Sequence, residues 1–167
     1  MQQLSKWRAD IRGRHAVRRK SFENDVCPVA RTLDVVGEWW TLLILRDAFA
    51  GTSRFSEFQK SLGMAKNILS ARLQKLVENA IMELVPASDG SAYQEYRLTE
   101  KGLSLFTILV ALRQWGEAHL CAEDELEVAL VDRKSRMPVK KLELHAANGD
   151  LLGVEDLALL SIGEKDR

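Results

Sequence analysis

Cysteine is scarce in this sequence, and long apolar runs are absent. Its 167 residues hold two cysteines, Cys27 and Cys121, with no His or Cys near either at the spacing of a zinc site. A secreted fold held by several disulfides needs more than two cysteines, and a zinc site needs ligands at closer spacing. No run approaches the roughly 18 apolar residues that span a bilayer, and no apolar block follows the basic residues at the start. We expect a cytoplasmic protein with no membrane segment, no metal site and no cofactor.

Groups that could support catalysis are also few. The three histidines, His15, His119 and His145, are scattered along the chain, and none has a partner at metal-ligand or acid–base spacing. Neither a Cys-His-Asp arrangement nor an oxyanion motif accompanies a cysteine. The sequence therefore argues against an enzyme.

Net charge is zero over the whole chain, but the charges are unevenly placed. Residues 1–25 hold seven Lys/Arg against three acids, residues 52–76 hold five against one, and residues 77–167 hold ten against seventeen. Because contact with a polyanion depends on where the cations lie, two basic segments on an acidic molecule fit nucleic-acid binding in one orientation. Ordinary solvated helix faces would explain the same counts.

The sequence pattern divides the chain into three parts. Residues 1–24 form a basic, weakly periodic arm, residues 25–120 carry helical periodicity and one hairpin, and residues 121–167 hold short strand-like runs around turn signals. We predict a mainly α fold with a β-hairpin (α+β) and a small β-rich C-terminal appendage.

Two helices are predicted at the start of the central part. Pro28 favours the first helical position, and Gly37 ends that helix. The next segment, EWWTLLILRDAFAG, is apolar on nearly all sides until Gly51 stops it. Such a helix is buried on most sides, so we interpret it as the core helix.

A short rung and two more helices follow. Residues 53–55 suggest a single strand rung, and Ser56 with Gln59 matches the capping-box spacing for a helix over residues 57–62. After a turn at Gly63, a further helix has one apolar stripe, formed by Leu69, Leu73 and Leu76. The runs IMELVPA and YQEYRLT, separated by SDGSA, then predict a hairpin with a flexible tip.

The last helix of the central part, residues 99–120, is too apolar for one buried face. Thr99 is its predicted cap. We interpret the additional apolar surface as a homodimer contact. The predicted contact residues are Leu103, Phe106, Leu109, Val110, Arg113 and Trp115. Burial under the C-terminal segment would explain the same surface, and both can hold together.

The order helix, helix, rung, helix, tight turn, helix, hairpin is the winged helix-turn-helix plan. In that plan the helix after the turn enters the major groove of double-stranded DNA, and the hairpin tip reaches the backbone. Asn67 suits adenine, Lys66 or Arg72 suits guanine or phosphate, and small residues allow close approach. The predicted DNA contacts are Arg54, Lys66, Asn67, Ser70, Ala71, Arg72, Lys75, Ser88, Gly90 and Ser91. A solvated helix face is the plainer alternative.

Several uncommon elements in one order carry a family resemblance. They are CPVARTLDVVGEWWTLLILRDAFAG, RFSEFQKSLG, ILSARLQKLVENAIM, YRLTEKG and LVALRQWGEAH. Over residues 26–120 the chain resembles the HxlR family of bacterial transcription regulators, relatives of the MarR group. The resemblance implies a homodimeric winged-helix repressor or activator of bacterial cytoplasm, with the 99–120 helix helping to join subunits. An inverted-repeat operator is then expected, and a winged-helix module that binds protein is the alternative.

Two positions depart from the family pattern. Ala65 stands where relatives often have Ser, so the recognition helix lacks a side-chain N-cap. The wing contains Asp89 and no Lys or Arg, so its phosphate contacts would come from backbone N–H groups, Ser88, Ser91 or Arg97 nearby.

Cys27 is the predicted redox-sensing residue. A helix start and Arg31 one turn later both favour a thiolate, and HxlR-type sensors of electrophiles or oxidants use a cysteine at this place in the motif. The resemblance therefore suggests a thiol switch. Cys121, at the end of the predicted dimer helix, is a second redox-sensing candidate that would meet Cys27 of the other subunit. A cysteine that only packs is the alternative.

Overall fold

The computed structural model describes residues 21–159, and most of the predicted basic arm lies outside that range. The chain divides into two units, Met1–Thr99 and Glu100–Arg167. The elements of the first unit are α1 (Pro28–Val36), α2 (Trp39–Phe49), α3 (Phe55–Leu62), α4 (Lys66–Glu78), β1 (Met82–Pro86) and β2 (Gln94–Leu98). Those of the second are α5 (Glu100–Leu103), α6 (Phe106–His119) and two 3₁₀ turns, Glu123–Glu125 and Val154–Asp156.

Helix α2 is the central helix of the first unit. Ile44 and Leu45 are fully buried, as is Phe58 of α3. The prediction of a core helix is confirmed, although Trp39 at its start is 62% exposed and stacks on Trp40 with ring centroids 4.2 Å apart. Burial of large apolar side chains is the main favourable term in folding, so α2 anchors the helices around it.

Helix α3 begins at Phe55, two residues earlier than predicted. The carboxylate of Glu57 accepts the backbone N–H groups of Arg54 at 3.0 Å and Ser53 at 3.2 Å. A charged acceptor near the positive end of a helix outcompetes the neutral Gln59 for this role, so the predicted Ser56–Gln59 capping box is wrong. The rung at residues 53–55 is one hydrogen bond, from Tyr96 N–H to Ser53 O at 2.8 Å.

The turn between α3 and α4 follows the prediction. Gly63 has φ of +63°, a left-handed conformation that favours glycine, and it ends α3. Ala65 precedes α4 in extended backbone and makes no side-chain capping bond, as its sequence implies. Leu69 and Leu73 are fully buried, so the apolar stripe fixes which side of α4 faces outward.

Strands β1 and β2 form the predicted hairpin. They pair antiparallel, with Met82 opposite Leu98 and Pro86 opposite Gln94. Ala87 N–H continues the ladder to Tyr93 O at 3.0 Å, and Gly90 at the tip has φ of +74°. Four helices followed by this hairpin make the first unit a winged helix-turn-helix, which confirms the predicted fold class.

The single helix predicted over residues 99–120 is wrong, because α5 and α6 are separated at Ser104 and Leu105. Two local features explain the break. Gly102 weakens the first segment, and the Ser104 hydroxyl donates to Lys101 O at 2.7 Å, a local bond that competes with helix continuation. The fourteen-residue helix that remains is α6.

Residues 121–159 contain two 3₁₀ turns, together with turns near residues 133–135 and 147–149, in place of the predicted strands. Single antiparallel bridges join Val131 to Pro138 and His145 to Leu151. Pro138 has no N–H to extend a ladder, and isolated two-stranded pairing is marginal. Within the described residues of this appendage, β-structure is therefore limited to these bridges.

Two α6 side chains hold the appendage. The Gln114 amide donates to Lys140 O at 2.9 Å and accepts from Leu142 N–H at 2.8 Å, which is the pairing that a neighbouring strand would offer. Arg113 donates to Val128 O. These polar contacts fix the appendage on one side of α6.

Candidate nucleic-acid interface

The outward side of α4 is polar and accessible. Lys66, Asn67, Ser70 and Ala71 are all exposed. Asn67, Ser70, Ala71 and Gln74 follow the i, i+3, i+4, i+7 spacing of one helix face, opposite the buried leucines. Sequence reasoning missed Gln74, although the same spacing would have found it; its amide donates to Glu78 at 2.8 Å.

Two of the predicted recognition cations are engaged inside the unit. Arg72 is half-buried and lies 3.3 Å from the Glu38 carboxylate. Lys75 is also half-buried, and its ammonium donates to the backbone carbonyl of Asp34. Both side chains therefore tie α4 to the first two helices, and the structure does not place them on the outward face with Lys66 and Asn67.

The wing tip is held by hydrogen bonds within the chain. Ser88 N–H and its hydroxyl both lie 3.3 Å from the Glu95 carboxylate. Gly90 N–H donates to Ala87 O at 3.1 Å, and Ser91 N–H donates to Asp89 at 3.0 Å. The three backbone N–H groups expected to meet phosphate are thus already used.

Arg54 joins the start of α3 to the wing. Its Nη2 lies 2.5 Å from Asp89 Oδ2, and its Nε lies 3.2 Å from Glu95 Oε1. The hydrogen bond from Arg54, followed by those from Ser91, holds the pKa of Asp89 well below its usual range. The hydrogen bond to Asp89 likewise raises the pKa of Arg54. Both groups are therefore charged at neutral pH.

Arg97, the other cation near the wing, is paired along the hairpin. Its Nε and Nη2 donate to one oxygen of Glu83 at 3.0 and 2.8 Å. Both side chains are exposed to solvent. This pair joins β1 to β2 and does not reach α3.

The outward side of α6 differs from the predicted dimer surface. Leu103, Phe106 and Trp115 are exposed, whereas Val110 is buried and Leu109 and Arg113 are half-buried. Arg113 Nε lies 2.6 Å from Glu117. The exposed stripe is Ile108, Leu112 and Trp115, at i, i+4 and i+7. Sequence reasoning missed Ile108 and Leu112 because an apolar helix does not reveal which side its own chain covers.

Both cysteines are exposed free thiols. Cys27 occupies the N-cap position of α1 without a side-chain capping bond, and its N–H donates to the Asp25 carboxylate at 2.8 Å. Cys121 follows α6 in the second unit. The first-helix position predicted for Cys27 is confirmed, and its reactivity stays a prediction.

Within residues 21–159 no group of three or more His, Cys, Asp or Glu is placed to hold a metal ion. Among the described helices, none has the length and apolar character needed to cross a membrane.

The comparisons with known proteins agree with this geometry. The HxlR-like helix-turn-helix profile matches residues 35–124, more than half of the chain. The chain belongs to the HxlR-like helix-turn-helix family. Over 92 residues it is 49% identical to the uncharacterised HTH-type transcriptional regulator Rv3095 of Mycobacterium tuberculosis, covering 55% of this chain and 58% of that one. The chain therefore spans under two thirds of that relative's length.

A second relative is covered more fully. The uncharacterised HTH-type transcriptional regulator YdeP of Bacillus subtilis is 31% identical over 104 residues, which are 62% of this chain and 81% of that one. Both relatives are named as transcriptional regulators, in keeping with the prediction that this chain is not an enzyme.

Two solved structures are informative. PA1607, a candidate transcription factor, matches with a TM-score of 0.80 at 55% identity over 84% of this chain and 99% of that one. The oxidised redox regulator HypR matches with a TM-score of 0.52 at 30% identity over 57% of this chain and 100% of that one. The match to PA1607 covers 84% of this chain, which is more than the segment that matches the family profile. Part of the C-terminal appendage therefore has a counterpart in PA1607.

Proposed function

We propose that this HxlR-family protein is a sequence-specific DNA-binding transcriptional regulator that acts as a homodimer. The observation that carries the proposal is the outward face of α4. A left-handed residue, Gly63, ends α3 and leads into α4. A buried leucine stripe fixes the rotation of α4, and Lys66 and Asn67 are exposed in its first turn. Leading polar residues of such a helix are those that meet base edges in the major groove.

The proposed roles on DNA follow from exposure and hydrogen-bonding capacity. Asn67 is a candidate for bidentate contact with adenine, and Lys66 for guanine or phosphate. Ser70 and Ala71 are small enough to let the helix lie close to the bases. Arg72 and Lys75 support the helix from behind, because their partners lie on the protein itself.

The homodimer is proposed to form through the exposed α6 stripe. Ile108, Leu112 and Trp115 are 42%, 49% and 57% exposed, an unusual density of large apolar side chains for a surface helix. A two-fold axis would pair like faces and present two recognition helices about 34 Å apart, one turn of DNA. The operator should then be an inverted repeat.

An oxidant or electrophile is the proposed effector, acting at Cys27. The thiol is exposed at the start of α1, where electrophiles can reach it. The similarity to HypR, a redox regulator, supports this assignment. Attack by the thiol sulfur on one sulfur of a disulfide would form a mixed disulfide and release the other as thiol.

The experiment compares Lys66→Ala and Asn67→Ala with Lys141→Ala, an exposed lysine of the appendage. The probe is a fluorescent duplex that the parent protein selects from a randomised library. Loss of a phosphate contact should lower, by about one, the slope of log affinity against log salt concentration. Loss of the adenine contact should reduce the discrimination between bases at one operator position by about 1 to 3 kcal/mol. Lys141→Ala should match the parent. Parent-like binding by both recognition-helix variants would contradict the proposal.

A further inference from the structure

We propose that Arg54 is a positioning residue that clamps the wing to the start of α3, and that it is not a phosphate contact. The inference rests on the proposed function and deepens it, because it assigns how the wing is oriented for DNA. The clamp has three members: Arg54, Glu95 and Asp89.

Two series of contacts link the start of α3 to the wing tip. In one, Arg54 Nε contacts Glu95 Oε1 at 3.2 Å, and the same carboxylate accepts both donors of Ser88 at 3.3 Å. In the other, Arg54 Nη2 contacts Asp89 at 2.5 Å, and Asp89 accepts Ser91 N–H at 3.0 Å. Arg54 therefore fixes both ends of the tip.

Glu95 is the anchor of this arrangement. It is 9% exposed, and a buried carboxylate is costly unless it is paired and hydrogen-bonded. Its oxygens are satisfied by Arg54 and Ser88 together. The neighbouring backbone bond from Tyr96 to Ser53 joins β2 to the rung but leaves the tip unattached, so orientation of the tip depends on the side chains.

The alternative role, a phosphate contact, requires the guanidinium to be available to DNA. Its Nε and Nη2 are instead turned to carboxylates, and the side chain is 32% exposed. An arginine that bridges two carboxylates uses its planar fork, which lysine cannot reproduce. The two roles therefore predict opposite responses to the same substitutions.

The decisive variants are Arg54→Lys and Glu95→Gln. If Arg54 is a clamp, both should weaken binding of the selected duplex by about threefold to tenfold, with an unchanged salt slope, and their double variant should be no weaker than either alone. Amide hydrogen exchange at Ser88 and Ser91 should become faster in both. The clamp would be overturned by a different pair of results. In these, Arg54→Lys binds the duplex like the parent, and Glu95→Gln binds it more tightly and with a steeper salt slope.

The matched control is Glu83→Gln, which disturbs an arginine–carboxylate pair within the same hairpin. It should leave amide exchange at the tip at the parent value. The exchange measurement needs no DNA. If no duplex is selected, the proposed function fails, whereas slow parent-like exchange at Ser88 and Ser91 in Arg54→Lys and Glu95→Gln would contradict the clamp itself.

Discussion

At the scale of residues, the structure separates cations that are available from cations that are used. Sequence counting finds five Lys/Arg over residues 52–76, but Arg54, Arg72 and Lys75 each have partners within the unit. Among the described residues, Lys60 and Lys66 make no ion pair. Fewer cations are therefore available to contact DNA than the sequence implies. Among them, Lys66 is the one whose substitution should weaken DNA binding most.

Cys27 carries the residue-scale prediction. Mild oxidation by a disulfide should change the affinity of the parent for its selected duplex, and reductant should restore it, since a mixed disulfide at the start of α1 alters that helix. Cys27→Ser should bind the duplex and ignore the oxidant, as measured by fluorescence anisotropy.

Cys121→Ser is the matched control for this switch. If it responds like the parent, a one-cysteine switch holds and no bond between Cys27 and Cys121 is needed. Unchanged affinity of the parent, after mass spectrometry shows that Cys27 is modified, would leave Cys27 as an exposed residue with no role in a switch.

At the scale of elements, helix existence was predictable and helix ends were not. The leucine stripe of α4, Gly63 and the hairpin alternation each express one local rule, and all three agree with the structure. The start of α3 and the break before α6 depend on competition between side chains. Glu57 displaces Gln59 as the cap, and Ser104 bonds to its own backbone. A single sequence shows such candidates without showing which one prevails.

The same limit applies to the candidate site. The exposed Lys66 and Asn67 followed from the position of the leucine stripe, which dictates the opposite face. The pairing of Arg54 with Glu95, 41 residues further on, followed from no local rule. Contacts of this range depend on how the hairpin meets α3.

Glu57 gives the element-scale prediction. Hydrogen bonds from the backbone N–H groups of Arg54 and Ser53 lower the pKa of Glu57 below its ordinary value. A depressed carboxylate pKa contributes stability above the unfolded-state value, and that contribution is lost as pH falls through the folded-state value. Glu57→Ala should therefore lower the free energy of unfolding at pH 7 by about 0.5 kcal/mol, at the low end because the group is exposed.

Chemical denaturation at several pH values checks this. The gap between parent and Glu57→Ala should be constant above pH 5 and close as the medium becomes more acidic. Gln59→Ala, which changes the residue first expected to cap α3, should give a gap that does not vary with pH. A Glu57→Ala gap that persists unchanged in strong acid would contradict the assigned cap.

At the scale of the whole molecule, the account depends on two copies. A charged residue in the α6 stripe should break the homodimer, because burying an unpaired carboxylate is costly. Leu112→Asp should sediment as a monomer at micromolar concentration, where the parent sediments as a dimer. It should also lose most duplex affinity, since one recognition helix contacts only half of the operator.

Lys134→Asp, which also introduces a carboxylate but at an exposed residue of the appendage, is the control for Leu112→Asp. Its sedimentation should match the parent. A dimeric Leu112→Asp would place the subunit contact elsewhere on the chain.

Selection of duplexes from a randomised library by the full-length parent protein tests the central claim most directly. The account predicts an inverted repeat whose half-site centres lie about one helical turn apart, bound by two copies of the chain. Sequencing gives the motif, and sedimentation of the complex gives the stoichiometry. No enriched motif, together with salt-sensitive binding that is equal for all sequences, would contradict a sequence-specific regulator and favour the protein-binding alternative.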